Sequence, residues 1–435
     1  MKMTRKKRII IGLLLIFLMV NYMVVTIILK DSSAFKYIRD ILLLVLVGCV
    51  IGSIRCKMTR QWYVVALVFF VFFFLIGVLQ TDSVKEIIVV GRRYLFPLLV
   101  FFFAINLNVN GKEEKIFKFL LIFTALLSLF GIIQVYILGD SFLEKLGYPM
   151  SYSPYYKRNF LGNSFYFGGL GIQRVVSTLS SANICGLILG LVFVYSLVCH
   201  KVFVNRKYKV LLYLIILLGY LLTFSRSNFL ALFFVLVFLI WKYIPYKKYI
   251  LLGLMLAALA FVAVSIIQGS GGIAYRIFRW VIDSFQAKDT SAAGRGGIWL
   301  EAFNQVKISP LGIGFGHVGG VAGFGSSKEL YFSAENSYLA IALETGWGGL
   351  ISYIAFLIGI VLYLFDYSRR CKREGDYKGN RLCVAGYTTA IYLMIVMFFS
   401  NHIHDMEAMA LAYFLIGISI SYVRRNRVMR GKNNE

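Results

Sequence analysis

Residues 268–350 read QGSGGIAYRIFRWVIDSFQAKDTSAAGRGGIWLEAFNQVKISPLGIGFGHVGGVAGFGSSKELYFSAENSYLAIALETGWGGL. The stretch is polar, glycine-rich and partly charged, and it is the longest break in an otherwise apolar chain. Backbone N–H and C=O groups in lipid must pair within a helix or a closed barrel, so such a segment lies outside the bilayer or lines a wet cavity. On both sides of it, apolar runs reach the ~18–20 residues that a spanning helix needs. The expected fold is therefore an all-α polytopic membrane protein, in which this stretch is a large extracytoplasmic loop that closes over a site.

Composition narrows the class. Of 435 residues, 59% are hydrophobic, and the mean hydropathy of +0.76 is too high for a soluble core. The net charge of +26 invites a nucleic-acid reading. Its distribution argues against one: Lys and Arg fall in short clusters between apolar runs, as in cytoplasmic loops, and no basic stripe with interleaved aromatics marks a soluble domain. The six cysteines avoid both long loops and show neither a disulfide framework nor a paired zinc motif, so they read as small buried hydrophobes. The apolar run from Ile9 to Leu29 is too long for a signal-peptide core, and no small-residue cleavage site follows, which makes it an uncleaved first helix.

Hydropathy divides the chain into about twelve spans. Residues 1–138 carry helices one to five, with spans near Ile9–Leu29, Tyr37–Ile54, Trp62–Gln80, Ile87–Leu107 and Ile116–Leu138. Residues 139–181 form a first extracytoplasmic loop rich in Tyr, Pro and Gly, suited to irregular structure. Residues 182–268 hold helices six to nine, with Asn183–His200, a tight hairpin around Thr223–Asn228, and Tyr249–Gln268. Residues 269–349 are the large loop between spans nine and ten, with short helices. Residues 350–435 carry helices ten to twelve and a basic tail. The basic clusters, beginning with Lys2, Arg5, Lys6, Lys7 and Arg8, put both termini in the cytoplasm of a plasma-membrane protein. No ATP-binding signature such as GxxxxGK[ST] occurs, so energy for any chemistry comes from the substrate or a gradient.

Several arginines lie away from the cytoplasmic clusters. Arg174 precedes span six, Arg226 sits at the tip of the seven–eight hairpin, Arg295 lies in AAGRGGIWLEAF, and Arg92 and Arg93 lie in span four. A guanidinium is planar, permanently charged and suited to bidentate phosphate binding. Arginines that converge on the outer face would bind a pyrophosphate at headgroup level; one alone reads as snorkelling to the interface, and Arg93 is read that way. Trp299, Phe303 and Val306 predict a helix over 297–308, with Arg295 among glycines at its N-terminus as an anion cradle or a plain linker. Residues 273–285 are also amphipathic and read as a membrane-surface helix. Glu335 precedes Asn336 at the start of a helix interrupted by Gly346, Gly348 and Gly349; it complements the helix N-terminus or serves as a general base. Glu344 reads as structural or orienting. His317, in GIGFGHVGG, is a second-choice base. His402, His404, Asp405 and Glu407 have no diagnostic zinc spacing and read as an interface turn.

These pieces, QRVVSTLSSAN with Arg174, LTFSRSNFLAL with Arg226, GRGGIWLEAFNQVKISPLGIGFG with Arg295 and ENSYLAIALETGWGGL with Asn336, resemble in order the O-antigen polymerase and O-antigen ligase superfamily over about Gly171–Phe365. The resemblance implies a membrane glycosyltransferase that uses undecaprenyl-pyrophosphate-linked oligosaccharide, without a nucleotide sugar, metal or other cofactor. It implies that Arg174, Arg226 and Arg295 hold the pyrophosphate, that a base deprotonates the acceptor hydroxyl, and that Asn336, Glu344 and Arg92 support the site. A capsular, O-antigen or exopolysaccharide product is implied, with membrane lipids, a flippase and a chain-length regulator as partners. Ligases of the family commonly carry His before the Asn, where this chain has Glu335. That departure favours a polymerase and leaves the base open between Glu335 and His317. A ligase-type transferase and a flippase of lipid-linked oligosaccharide are the alternatives; a flippase should place charges along many spans, and here most intramembrane stretches are uncharged.

Overall fold

The computed structural model describes residues 5–21, 61–107, 113–146, 172–199, 206–243, 290–319 and 335–433, with strand residues 150–153, 158–161 and 166–167 and single positions 45, 48 and 332. The main helices are α1 (Arg5–Asn21), α2 (Trp62–Leu79), α3 (Val84–Asn106), α4 (Glu113–Ile133, widened to a π turn through Leu138), α5 (Gly139–Leu146), α6 (Ala182–Val198), α7 (Arg206–Leu221), α8 (Arg226–Tyr243), α9 (Thr290–Ile308), α10 (Ser337–Arg373), α11 (Tyr377–Phe399) and α12 (Met406–Asn433). Among the described residues seven helices are long and apolar enough to cross a membrane, and three shorter apolar helices lie at Ile11–Val20, Ala182–Val198 and Tyr208–Leu221. The expected ninth span and the helix over 273–285 lie outside the described residues, as does the second span apart from positions 45 and 48.

Apolar composition makes these helices, and small or hydroxylated residues pack them. α12 is 83% buried and α11 72% over their apolar windows, against 28% for α2 and α8, so the first two form the centre and the others the rim. Lipid tails offer no hydrophobic drive between helices, so polar seams and close backbone approach hold them together. Tyr353 on α10 bonds Tyr413 on α12 at 2.7 Å, and Tyr195 on α6 bonds Ser419 on α12 at 3.0 Å.

Chain direction alternates, and this sorts the molecule into two ends. At one end Glu113, opening α4, accepts from Lys378 of α11 at 3.2 Å and faces Arg425 of α12 at 4.0 Å. Asp376 caps α11 there through Gly379 N–H at 2.8 Å. At the other end lie the connections after α2, α4, α7 and α11 and the starts of α6, α8 and α10.

The first long loop is less irregular than its composition predicts. It contains α5 and two small antiparallel hairpins, Met150–Ser153 with Arg158–Leu161 and Tyr166–Phe167 with Ile172–Gln173. The regular structure of the described residues is helical apart from these short strands and an isolated bridge between Val318 and Phe332. Ahead of α6, Val175 N–H donates to Leu222 C=O at 3.0 Å, which docks the end of the loop onto the α7–α8 hairpin.

α10 is two helices joined at Gly346, whose φ of 73° and ψ of −178° suit glycine alone. A Cβ there would meet the backbone of Pro310 and Leu311, and Trp347 N–H donates to Pro310 C=O at 3.0 Å. Gly375 has the same φ, but nothing lies within 4 Å of its would-be Cβ. Gly375→Ala should cost the ~1–2 kcal/mol of a left-handed residue, and Gly346→Ala distinctly more. Thermal unfolding midpoints of the detergent-solubilised variants give the comparison; equal losses would contradict the packing at Gly346.

Candidate functional site

Arg174 lies where the first loop meets the α7–α8 hairpin. Its Nε donates to Thr223 C=O at 2.7 Å and its NH2 nitrogen to Asn183 Oδ1 at 2.8 Å. Those acceptors stand beside two helix starts. Ser181 caps α6 by accepting from Ile184 N–H at 3.3 Å. Arg226 is the first residue of α8, reached through Phe224 at a φ of 47°, a conformation uncommon outside glycine. Asn228 ties the two starts together: its Nδ2 donates to Asn183 C=O at 3.0 Å and to Ser225 Oγ at 2.8 Å, and its Oδ1 accepts from Tyr392 on α11 at 2.8 Å.

The electrostatics follow from this packing. Burial, and then the neighbouring positive charge of Arg226, lower the Arg174 pKa to about 10. It remains cationic at neutral pH. Two guanidinium groups and the positive ends of two helix dipoles therefore meet in one place, a field that favours a multiply charged anion.

A second polar cluster surrounds the α10 kink. Residues 312–319 thread between α2, α3 and α10. Gly312, Gly314 and Gly316 all have positive φ, which turns Phe315 inward against Phe74 and Tyr94. The Phe315 N–H donates to Thr81 Oγ1 at 2.8 Å, and the Ile313 N–H to Leu343 C=O at 2.6 Å. Glu344 is fully buried. Its Oε2 accepts from the Tyr94 hydroxyl at 2.5 Å and from His404 Nε2 at 3.0 Å; Nε2 stands equally near Oε1. Asn336 caps α10 by accepting from Tyr338 and Leu339 N–H at 2.8 and 3.1 Å.

The structure thus places Arg174 and Arg226 together. Arg295 lies within α9, in its second turn, because the helix begins at Thr290 and takes in Gly294, Gly296 and Gly297; the expected glycine-flanked helix start at 297 is corrected. α9 leans on α10 through Phe303 and Trp347 and reaches α11 through Trp299 and Phe398. Glu335 stands just before the Asn336 cap and is half-buried, as are His317 and Arg92. His317 C=O accepts from Phe332 N–H at 2.9 Å.

Two readings change. Arg93, expected to snorkel, donates to the His404 carbonyl at 3.3 Å. The NHIHDME segment, expected to be an interface turn, is packed inside: His402 and His404 are 2% and 6% exposed. Tyr94 and the His404–Glu344 pair escaped the sequence because their partners are 250 and 60 residues apart. The only sequence signal was three polar residues, His402, His404 and Asp405, in a turn between two apolar runs.

Asn228 satisfies both sides of its amide in a buried setting, so Asn228→Ala removes the acceptor of the Tyr392 hydroxyl, leaving it the longer 3.3 Å contact with Tyr220, and a donor to the Asn183 carbonyl. A loss of about 2–4 kcal/mol is expected, read as a fall in unfolding midpoint. An unchanged midpoint would contradict its role as the tie between α6 and α8.

A family model described as O-antigen ligase matches residues 211–354, from α7 through the first half of α10. A search of curated proteins finds no match. The matched residues include Arg226, Arg295, His317, Glu335, Asn336 and Glu344, while Arg174, Tyr94 and His404 lie outside them. With its several apolar helices the chain is a multi-pass membrane protein, and its residues 211–354 are similar to the O-antigen ligase family.

Proposed function

We propose that the protein is an integral-membrane glycosyltransferase that polymerises undecaprenyl-pyrophosphate-linked oligosaccharide repeat units on the outer face of the plasma membrane. The observation that carries the reading is the meeting of Arg174 and Arg226 at the starts of α6 and α8. In the reaction, the bond between the donor's anomeric carbon and its pyrophosphate oxygen breaks, and negative charge grows on the leaving pyrophosphate. Fixed guanidinium groups and helix ends near that charge stabilise the transition state more than the ground state. In this reading Arg295, on α9, supplies a third guanidinium to the same group. The base that takes the acceptor hydroxyl's proton is Glu335 or His317 in this reading, with Asn336, Glu344 and Arg92 supporting. The product is a capsular, O-antigen or exopolysaccharide chain.

The twelve-span topology, the domain limits of the sequence reading and cytoplasmic termini belong to the same proposal. Its support is the separation of ends: Lys378, Arg425 and their neighbours gather opposite the arginine site, as the positive-inside rule requires if the site faces outward. A ligase-type transfer to another acceptor is the second reading, favoured by the description of the matching family; Glu335 in place of the ligases' His favours the polymerase.

The test supplies purified protein with lipid-linked repeat units. A ladder of longer lipid-linked products is expected. Transfer only to a non-polyprenyl acceptor would replace the polymerase by the ligase, and no transfer would end both. Arg174→Ala should lower product formation about 10²-fold or more, and Arg174→Lys should not restore it, because an ammonium lacks the planar fork.

A further inference from the structure

The end of the molecule opposite the arginine pair holds a guanidinium without a counter-charge. Arg381 sits near the start of α11 and is half-buried. Its NH1 nitrogen is buried with no hydrogen-bond partner. Among the described residues nothing bonds its other nitrogens, and these reach the surface, where a ligand meets them from outside. Carboxylates at this end are engaged elsewhere: Glu113 with Lys378 and Arg425, Asp376 with the Gly379 N–H and the Tyr422 hydroxyl, and Asp366 with Arg370.

Its surroundings add positive charge rather than cancel it. Lys209, near the start of α7, lies within electrostatic reach of Arg381, as do Tyr243 at the end of α8 and Cys199 just past α6. A guanidinium drawn partly out of water costs free energy until an anion meets it. The setting selects the anion. Tyr208, Trp241, Tyr243 and Tyr377 are exposed at these same ends of α7, α8 and α11, as aromatic side chains are at the headgroup level of a bilayer. Along α7, Leu211, Leu214 and Leu218 are exposed at helical spacing, so an apolar strip runs from that level into the membrane. A phosphate carried on acyl chains uses both the cations and the strip; a free anion uses only the cations.

We propose that Arg381 and Lys209 bind the phosphate of an anionic phospholipid in the leaflet at this end, with an acyl chain lying along α7. The Arg381 fork takes the phosphate oxygens and Lys209 adds a point charge. Lys242 stands apart from the site: it donates to the Tyr387 hydroxyl and lies 4.9 Å from the centre of that ring. A lipid seated here bridges the starts of α7 and α11 and steadies the end of the bundle away from the arginine pair. In the topology proposed above this is the cytoplasmic leaflet, whose anionic headgroups attract basic residues beside a span. The inference does not depend on the glycosyl-transfer reading.

The probe is phosphatidylglycerol, added to the full-length protein in an uncharged detergent and followed by native mass spectrometry. Phosphatidylcholine with the same acyl chains and inorganic phosphate are the comparisons. Wild-type protein should hold phosphatidylglycerol about tenfold more tightly than phosphatidylcholine, and Arg381→Gln should lose about tenfold in affinity for the first while binding the second as before. Phosphatidylglycerol affinities of wild type and Arg381→Gln within about twofold of one another would overturn the inference. Displacement of the lipid by millimolar inorganic phosphate would overturn it too, because the site would then be one for a free anion. Should Arg381→Gln not accumulate in the membrane, the wild-type protein decides. Phosphatidylglycerol should raise its unfolding midpoint by several degrees, and phosphatidylcholine and inorganic phosphate should not; an equal rise with all three, or none, would contradict a lipid phosphate at Arg381.

Discussion

Two positive charges held close together in a partly dry place repel one another, and Arg174 beside Arg226 is that arrangement. Burial and the neighbouring charge draw the Arg174 pKa down to about 10, so the guanidinium stays charged while its environment disfavours the charge. The folded protein keeps this strain because Arg174 is fastened by Thr223 and Asn183 and Arg226 is fixed as the first residue of α8. In the proposed reaction a pyrophosphate relieves that repulsion, and more so as its negative charge grows. Like-charge proximity in the resting protein and stabilisation of a leaving group are thus two consequences of one geometry.

The helices exist, in this view, to hold a few polar groups at one end. Asn228 joins the starts of α6 and α8 and reaches Tyr392 in the central helix α11. α11 continues to the turn that carries His404, which meets Glu344 at the α10 kink. α11 therefore runs past both clusters. The glycines of residues 312–319 let a loop replace side chains with close backbone contact, so that Phe315 fills the space between α2 and α3 while the kink at Gly346 takes up Leu311. The opposite end is held by Glu113 with Lys378 and Arg425.

What the sequence disclosed follows from range. The spans are local, continuous apolar runs, and the helices Trp62–Leu79, Val84–Asn106 and Ala182–Val198 fall within a few residues of the hydropathy limits, whereas α10 begins at Ser337, ahead of the expected 350, and α12 runs on to Asn433, past the expected 423. Arg174 and Arg226 stood out because arginine is out of place beside such runs, and the structure brings the two near one another. The start of a helix at Asn336 was legible from its position before SYLAIAL, and the structure adds that Asn336 caps it. The start of α9 was misplaced because glycines at 294, 296 and 297 read as a linker, yet the helix leans on α10 and α11 through Trp299 and Phe303 and overrides that propensity. Arg93 and His404 were misread for the same reason: nothing within a few residues of either announces its partner. Whether a polar residue at the end of a span faces lipid or protein is decided by the neighbouring helix.

The most direct measurement is a cryo-EM structure of the protein in a lipid nanodisc with undecaprenyl diphosphate bound. The account predicts diphosphate density within hydrogen-bonding reach of both the Arg174 and Arg226 side chains, at the starts of α6 and α8. A diphosphate seated at the Lys378–Arg425 end, or one that touches neither arginine, would contradict it.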